Sequence, residues 1–60
     1  MMRIRKTYFH PLWPENSVDI EFECSEKDFY LMMKLERCKY DEEFYVWYTE
    51  DDRGCYAIIG

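Results

Sequence analysis

The chain has 60 residues, 48% of them hydrophobic and 20% aromatic, with eight basic residues against thirteen acidic ones for a net charge of −5. That composition excludes a disordered segment, which lacks aromatics, and a spanning helix, since no apolar run approaches the roughly 20 residues required. Arg3, Arg5 and Lys6 hold +3 in the first ten residues, leaving five basic residues against thirteen acidic ones, or −8, in the remainder; such a surface repels DNA, RNA and anionic lipid and attracts basic partners.

Arg3 to Phe9 reads as a first strand, with Ile4, Lys6 and Tyr8 on one side and Arg5, Thr7 and Phe9 on the other. His10 to Ser17 is a loop, because Pro11 and Pro14 forbid regular ladder pairing, and Trp13 between them is expected to fold back over a core edge. Val18 to Cys24 is the cleanest strand: Val18, Ile20, Phe22 and Cys24 alternate strictly with Asp19, Glu21 and Glu23. Ser25-Glu26-Lys27-Asp28 resembles a capping box. The stretch Phe29 to Cys38 that follows has no β-branched residue, Gly or Pro, so a helix is expected, with Leu31, Leu35 and Cys38 as a core stripe and Met32 beside them. The alternation of Phe29, Leu31, Met33 and Leu35 keeps a strand open as the competing reading.

Phe44 to Thr49 is the third strand and Cys55 to Ile59 the fourth, joined by Asp51-Asp52-Arg53-Gly54, in which Gly54 would accept the left-handed position. The expected fold class is therefore α+β: a single domain over residues 1–60, ββαββ in order, with a four-stranded antiparallel sheet and one helix on one face. A small all-β barrel is the alternative. Within Phe44-Tyr45-Val46-Trp47-Tyr48, alternation sends Phe44, Val46 and Tyr48 to one face and Tyr45 and Trp47 to the other. A core this small buries one face only. The helix-free face is thus expected to display Tyr45 and Trp47, residue types that anchor protein–protein contacts.

Cofactor chemistry has little to stand on. Cys24, Cys38 and Cys55 are odd in number and widely spaced, and they read as small apolar residues in a reducing, cytoplasmic setting. With His10 they lack the close-spaced pairs of a zinc site, and neither acidic triplet has the spacing of a calcium loop. One histidine, two glycines and no phosphate-cradling or metalloprotease motif argue against an enzyme. The N-terminus lacks the apolar segment of a signal peptide.

Three charged groups remain. Asp19, Glu21 and Glu23 share one strand face at about 6–7 Å spacing, of the order of the phosphate pitch of a nucleic acid; the plainer reading is a solvated face paired with Arg3 and Arg5. The triplets Asp41-Glu42-Glu43 and Glu50-Asp51-Asp52 fence the aromatic strand and would steer a basic partner toward it. In composition the chain looks like small virus- or plasmid-encoded inhibitors and antitoxins. The resulting expectation is a small acidic, non-catalytic protein that occludes a larger basic target, foremost a nucleic-acid-handling enzyme. Tyr45, Trp47 and Tyr56 would be its anchors, and the carboxylates would supply charge complementarity. The alternative is a structural homodimer joined through the aromatic sheet face and the terminal strand, which is apolar on both sides. The two readings differ for Trp47→Ala: the inhibitor keeps its fold and the dimer loses stability with assembly.

Overall fold

Two long strands open the chain. A computed structural model describes residues 1–13 and 15–60; Pro14, counted above as a loop-forming residue, lies outside them. Strand β1 (Met2–Phe9) pairs antiparallel with β2 (Ser17–Cys24), setting Ile4 opposite Phe22 and Lys6 opposite Ile20. Helix α1 (Glu26–Leu35) follows, then β3 (Lys39–Asp41), β4 (Val46–Tyr48) and β5 (Gly54–Ile58). The five strands form one antiparallel sheet in the order β2-β1-β5-β4-β3, with β2 and β3 as its two edges. The α+β class stands and the barrel does not, because the sheet is open.

The strand count is five rather than four. The added strand, Lys39-Tyr40-Asp41, is three residues with no apolar alternation, and it exists by pairing with β4 across a tight turn. That turn also shortens the aromatic strand expected over Phe44–Thr49 to Val46–Tyr48. Asp41 Oδ1 accepts the N–H groups of Glu43 and Phe44, and the Asp41 carbonyl accepts that of Tyr45 at 2.8 Å. Tyr45 then takes a left-handed conformation, φ 57°, which reverses the chain before β4 begins.

The helix begins as expected and ends early. Ser25 is the N-cap, its Oγ accepting the Asp28 N–H at 3.1 Å. At the other end Cys38 N–H bonds the Met33 carbonyl and Arg37 N–H that of Lys34, with Arg37 at φ 54°. This is the Schellman closure, with arginine where glycine is usual, and it leaves Cys38 outside the helix. The buried stripe is also different from the expected one. Phe29 and Met33 face the sheet, whereas Leu31 and Leu35, two positions further round, face solvent, Leu35 with 73% exposure.

Ile4, Phe29, Met33 and Tyr56 are the buried core, with Met2, Phe22, Cys24, Met32, Cys38 and Trp47 packed around them. Complete burial of Phe29 contributes about 2–3 kcal/mol. The register carries one face across all five strands as Tyr40–Trp47–Tyr56–Lys6–Ile20, and this is the face the helix covers. The opposite face carries Lys39–Tyr48–Cys55–Thr7–Asp19 and Asp41–Val46–Ala57–Arg5–Glu21. The turn before β5 uses Asp52, not Gly54, in the left-handed position. Gly54 lies in β5, where a Cβ would stand 2.7 Å from the Thr7 carbonyl oxygen.

Candidate functional site

The aromatic residues singled out by sequence divide. Trp47 lies on the helix-covered face, edge-on to Phe29 at 5.0 Å and against Tyr40 at 4.5 Å. Tyr56 is 2% exposed and belongs to the core. Trp47 was expected on a bare face and Tyr56 as a contact anchor; the alternation itself holds, with Val46 and Tyr48 opposite Trp47, but α1 packs on the Trp47 side of the sheet. Tyr45 is the one of the three that stays outside, 73% exposed at the β3–β4 turn. Phe44 stands exposed beside it, a residue the sequence reading assigned to the other face.

The tip of this hairpin is consequently acidic and aromatic at once: Glu42, Glu43, Phe44 and Tyr45 are all exposed. Asp41, first of its triplet, is half-buried and spends its carboxylate on the turn's own N–H groups. The second triplet behaves similarly at the other end of β4. Asp51 accepts from the Thr49 hydroxyl at 2.7 Å and from the Arg53 N–H at 3.1 Å, and these bonds hold its carboxyl below the usual range. Glu50 lies 3.8 Å from Arg37, and Asp52 is exposed. Asp41 and Asp51 thus build turns, while their neighbours carry the outward charge.

In the carboxylate row, Glu21 receives Arg3 Nε and Arg5 Nη2, each at 3.3 Å. Asp19 accepts the Thr7 hydroxyl at 2.8 Å. The plainer reading of this row, cross-strand pairing with Arg3 and Arg5, describes its central residue. Asp19 and Glu23, two residues to either side, have no ion pair among the described residues.

Sequence reasoning missed a half-buried triad. Lys6 Nζ lies 4.6 Å from the ring centroids of both Tyr8 and Tyr56 and 3.7 Å from Glu36 Oε1, and the Tyr56 hydroxyl donates to Glu36 Oε2. Burial, then the bond to Glu36, pushes the Tyr56 hydroxyl up to about 12. Burial works against the Lys6 charge, but Tyr56, Glu36 and Tyr8 outweigh it and hold the ammonium above its ordinary value. Lys6 and Glu36, with Tyr8, form one wall of an open groove of about 510 Å³, completed by Thr49, Glu50, Asp51, Arg53 and Gly54. No signal along the chain links positions 6, 36 and 56; only the fold does.

The cysteines are free and half-buried, and burial raises the Cys38 and Cys55 thiols. Trp13, expected over a core edge, is instead exposed and packed on His10 at 5.0 Å, where His10 Nδ1 accepts the N–H groups of Leu12 and Trp13. Among the described residues no three His, Cys, Asp or Glu side chains converge to hold a metal, and no helix is long and apolar enough to cross a membrane. No protein-family model, curated protein or solved structure matches the chain.

Proposed function

We propose that this chain is a small, non-catalytic binding protein that occludes a basic surface of a larger protein, of the inhibitor or antitoxin type, with a nucleic-acid-handling enzyme as the foremost target class. The observation that supports it is the β3–β4 hairpin, which holds Phe44 and Tyr45 outward directly after Glu42 and Glu43. A bulky residue at positive φ costs stability and persists where its surroundings require it. Here it aims an aromatic ring away from the protein. Aromatic anchors supply affinity, and the flanking carboxylates supply the encounter rate with a basic partner. Glu50 and Asp52 add charge at the far end of β4. Trp47 and Tyr56 act in this reading as the packed base of the hairpin rather than as contacts.

The homodimer alternative draws less support from the two surfaces it named. β5 is hydrogen-bonded on both sides, so the terminal strand has no free edge, and Trp47 is covered by α1. The test is capture from the cells that make the protein, using wild type and Tyr45→Gly/Phe44→Ser. The expected outcome is one protein retained by wild type, weakened about thirtyfold or more by the double change, and released by salt. Equal capture by both forms would remove the hairpin as the anchor. Light scattering over a hundredfold concentration range reads the alternative directly: a tight dimer would favour it.

A further inference from the structure

The long edge of the sheet is open, and its chemistry is specific. β2 is the terminal strand of the sheet, eight residues long and without proline. Arg3 N–H bonds the Gly60 carbonyl, Ile59 N–H bonds the Arg3 carbonyl, and Phe9 N–H bonds that of Arg53. Odd residues of β1 therefore turn their main-chain groups toward β5, and even residues turn theirs toward β2, where they meet Cys24, Phe22, Ile20 and Val18. The same alternation points the N–H and C=O groups of Asp19, Glu21 and Glu23 out of the sheet. On the helix side of this edge, Val18 is 64% and Ile20 45% exposed, and neither belongs to the core or packs against it.

We propose that this edge accepts an extended segment of the basic target as a sixth strand, with basic residues four positions apart and apolar residues between them. The proposal rests on the reading of the chain as a binder of a basic protein, and it names what the target presents. Opposite residues in an antiparallel pair share a face, so the three carboxylates demand complementary residues on theirs. Arg3 and Arg5 already satisfy Glu21, whereas among the described residues Asp19 and Glu23 have no cation. A strand carrying Lys or Arg opposite those two, a small polar residue opposite Glu21, and Val, Ile or Leu opposite Val18, Ile20 and Phe22 matches every position. A second copy of this chain does not. Hydrogen bonding through the outward groups sets odd residues against odd residues, so every antiparallel register of β2 with itself that pairs three or more of them opposes carboxylate to carboxylate, which is destabilising.

The probe is a twelve-residue peptide repeating Lys-Val-Thr-Val, with a peptide of the same composition and its lysines clustered at one end as control. Both are titrated into the isotope-labelled full chain and followed by amide NMR and hydrogen exchange. The expected result is perturbation and slowed exchange at Asp19, Glu21 and Glu23 with the repeating peptide. Glu21→Pro removes the central outward donor without touching the β1 ladder and weakens binding about tenfold. Asp19→Lys/Glu23→Lys, which keeps the backbone donors, weakens it at least as much and supplies the result should the proline variant not fold. Perturbation at Phe44 and Tyr45 with β2 amides unmoved overturns the edge proposal while leaving the basic-partner reading intact. Absence of binding by either peptide at low salt overturns the proposal and counts against that reading as well.

Discussion

Among the described residues, three other than glycine have positive φ: Arg37 at 54°, Tyr45 at 57° and Asp52 at 57°. Each stands where the chain reverses, after α1, before β4 and before β5, and each holds a conformation that glycine takes without cost. The left-handed region costs an L-residue about 1–2 kcal/mol, and the extra flexibility of glycine returns about 0.5–1 kcal/mol of that. Arg37→Gly is therefore expected to stabilise the protein by up to about 1 kcal/mol, since its exposed pairing with Glu50 contributes little. Tyr45→Gly should do likewise while removing the ring proposed to meet the target. Gly54→Ala goes the other way: a methyl 2.7 Å from the Thr7 carbonyl oxygen pushes backbone against backbone, at about 1–3 kcal/mol. Thermal melts of the three variants check both signs, and a destabilised Tyr45→Gly would mean that the ring packs on its own protein.

At the scale of the element, α1 offered two apolar stripes with the same spacing, Phe29/Met33 and Leu31/Leu35. Spacing along a helix cannot choose between them. The choice is made by the slot in the sheet, where Phe29 meets Trp47 edge-on and seals Ile4 and Tyr56. Trp47→Ala should therefore cost about 3 kcal/mol in urea unfolding whether the protein is monomeric or dimeric, so it does not separate the inhibitor and dimer readings as the sequence suggested. Leu35→Gln, on the opposite side of the helix, should change stability by less than about 0.5 kcal/mol. A large loss for Leu35→Gln would place an unrecognised contact on the outer side of the helix. The N-cap was legible because Ser25 and Asp28 act locally. The early stop at Arg37 was not, since arginine is a poor marker for a left-handed closure.

Across the whole molecule, the sheet has one covered face and two unlike edges, and an acidic hairpin projects beside the short edge. On the covered face, the Lys6–Glu36–Tyr56 triad ties β1, the end of α1 and β5 together. Tyr56 releases its proton near 10 when unfolded and at about 12 when folded, so the folded state holds a proton that the unfolded state has lost. Its contribution is fully present below pH 10 and declines as pH rises toward 12, by on the order of 2 kcal/mol. Lys6, also raised, declines in the same direction. Melting temperature should fall across this alkaline window, and Tyr56→Phe should flatten the fall; an unchanged slope would detach the triad from stability.

Composition, the strict alternation of Val18–Cys24 and the Ser25 cap determined the class of fold, the long hairpin and the start of the helix, because each is a local signal read within a turn or a strand. The acidic surface was legible for the same reason: charge is additive along a chain. What faces inward was not legible. Which side of β4 is covered depends on where α1 packs, the buried stripe of α1 depends on a slot made by three strands, and β3 exists only through its partner. Tertiary structure moved Trp47 and Tyr56 inside, left Phe44 and Tyr45 outside, and opened the edge of β2, since burial is decided by which surfaces meet and not by the order of residues that form them.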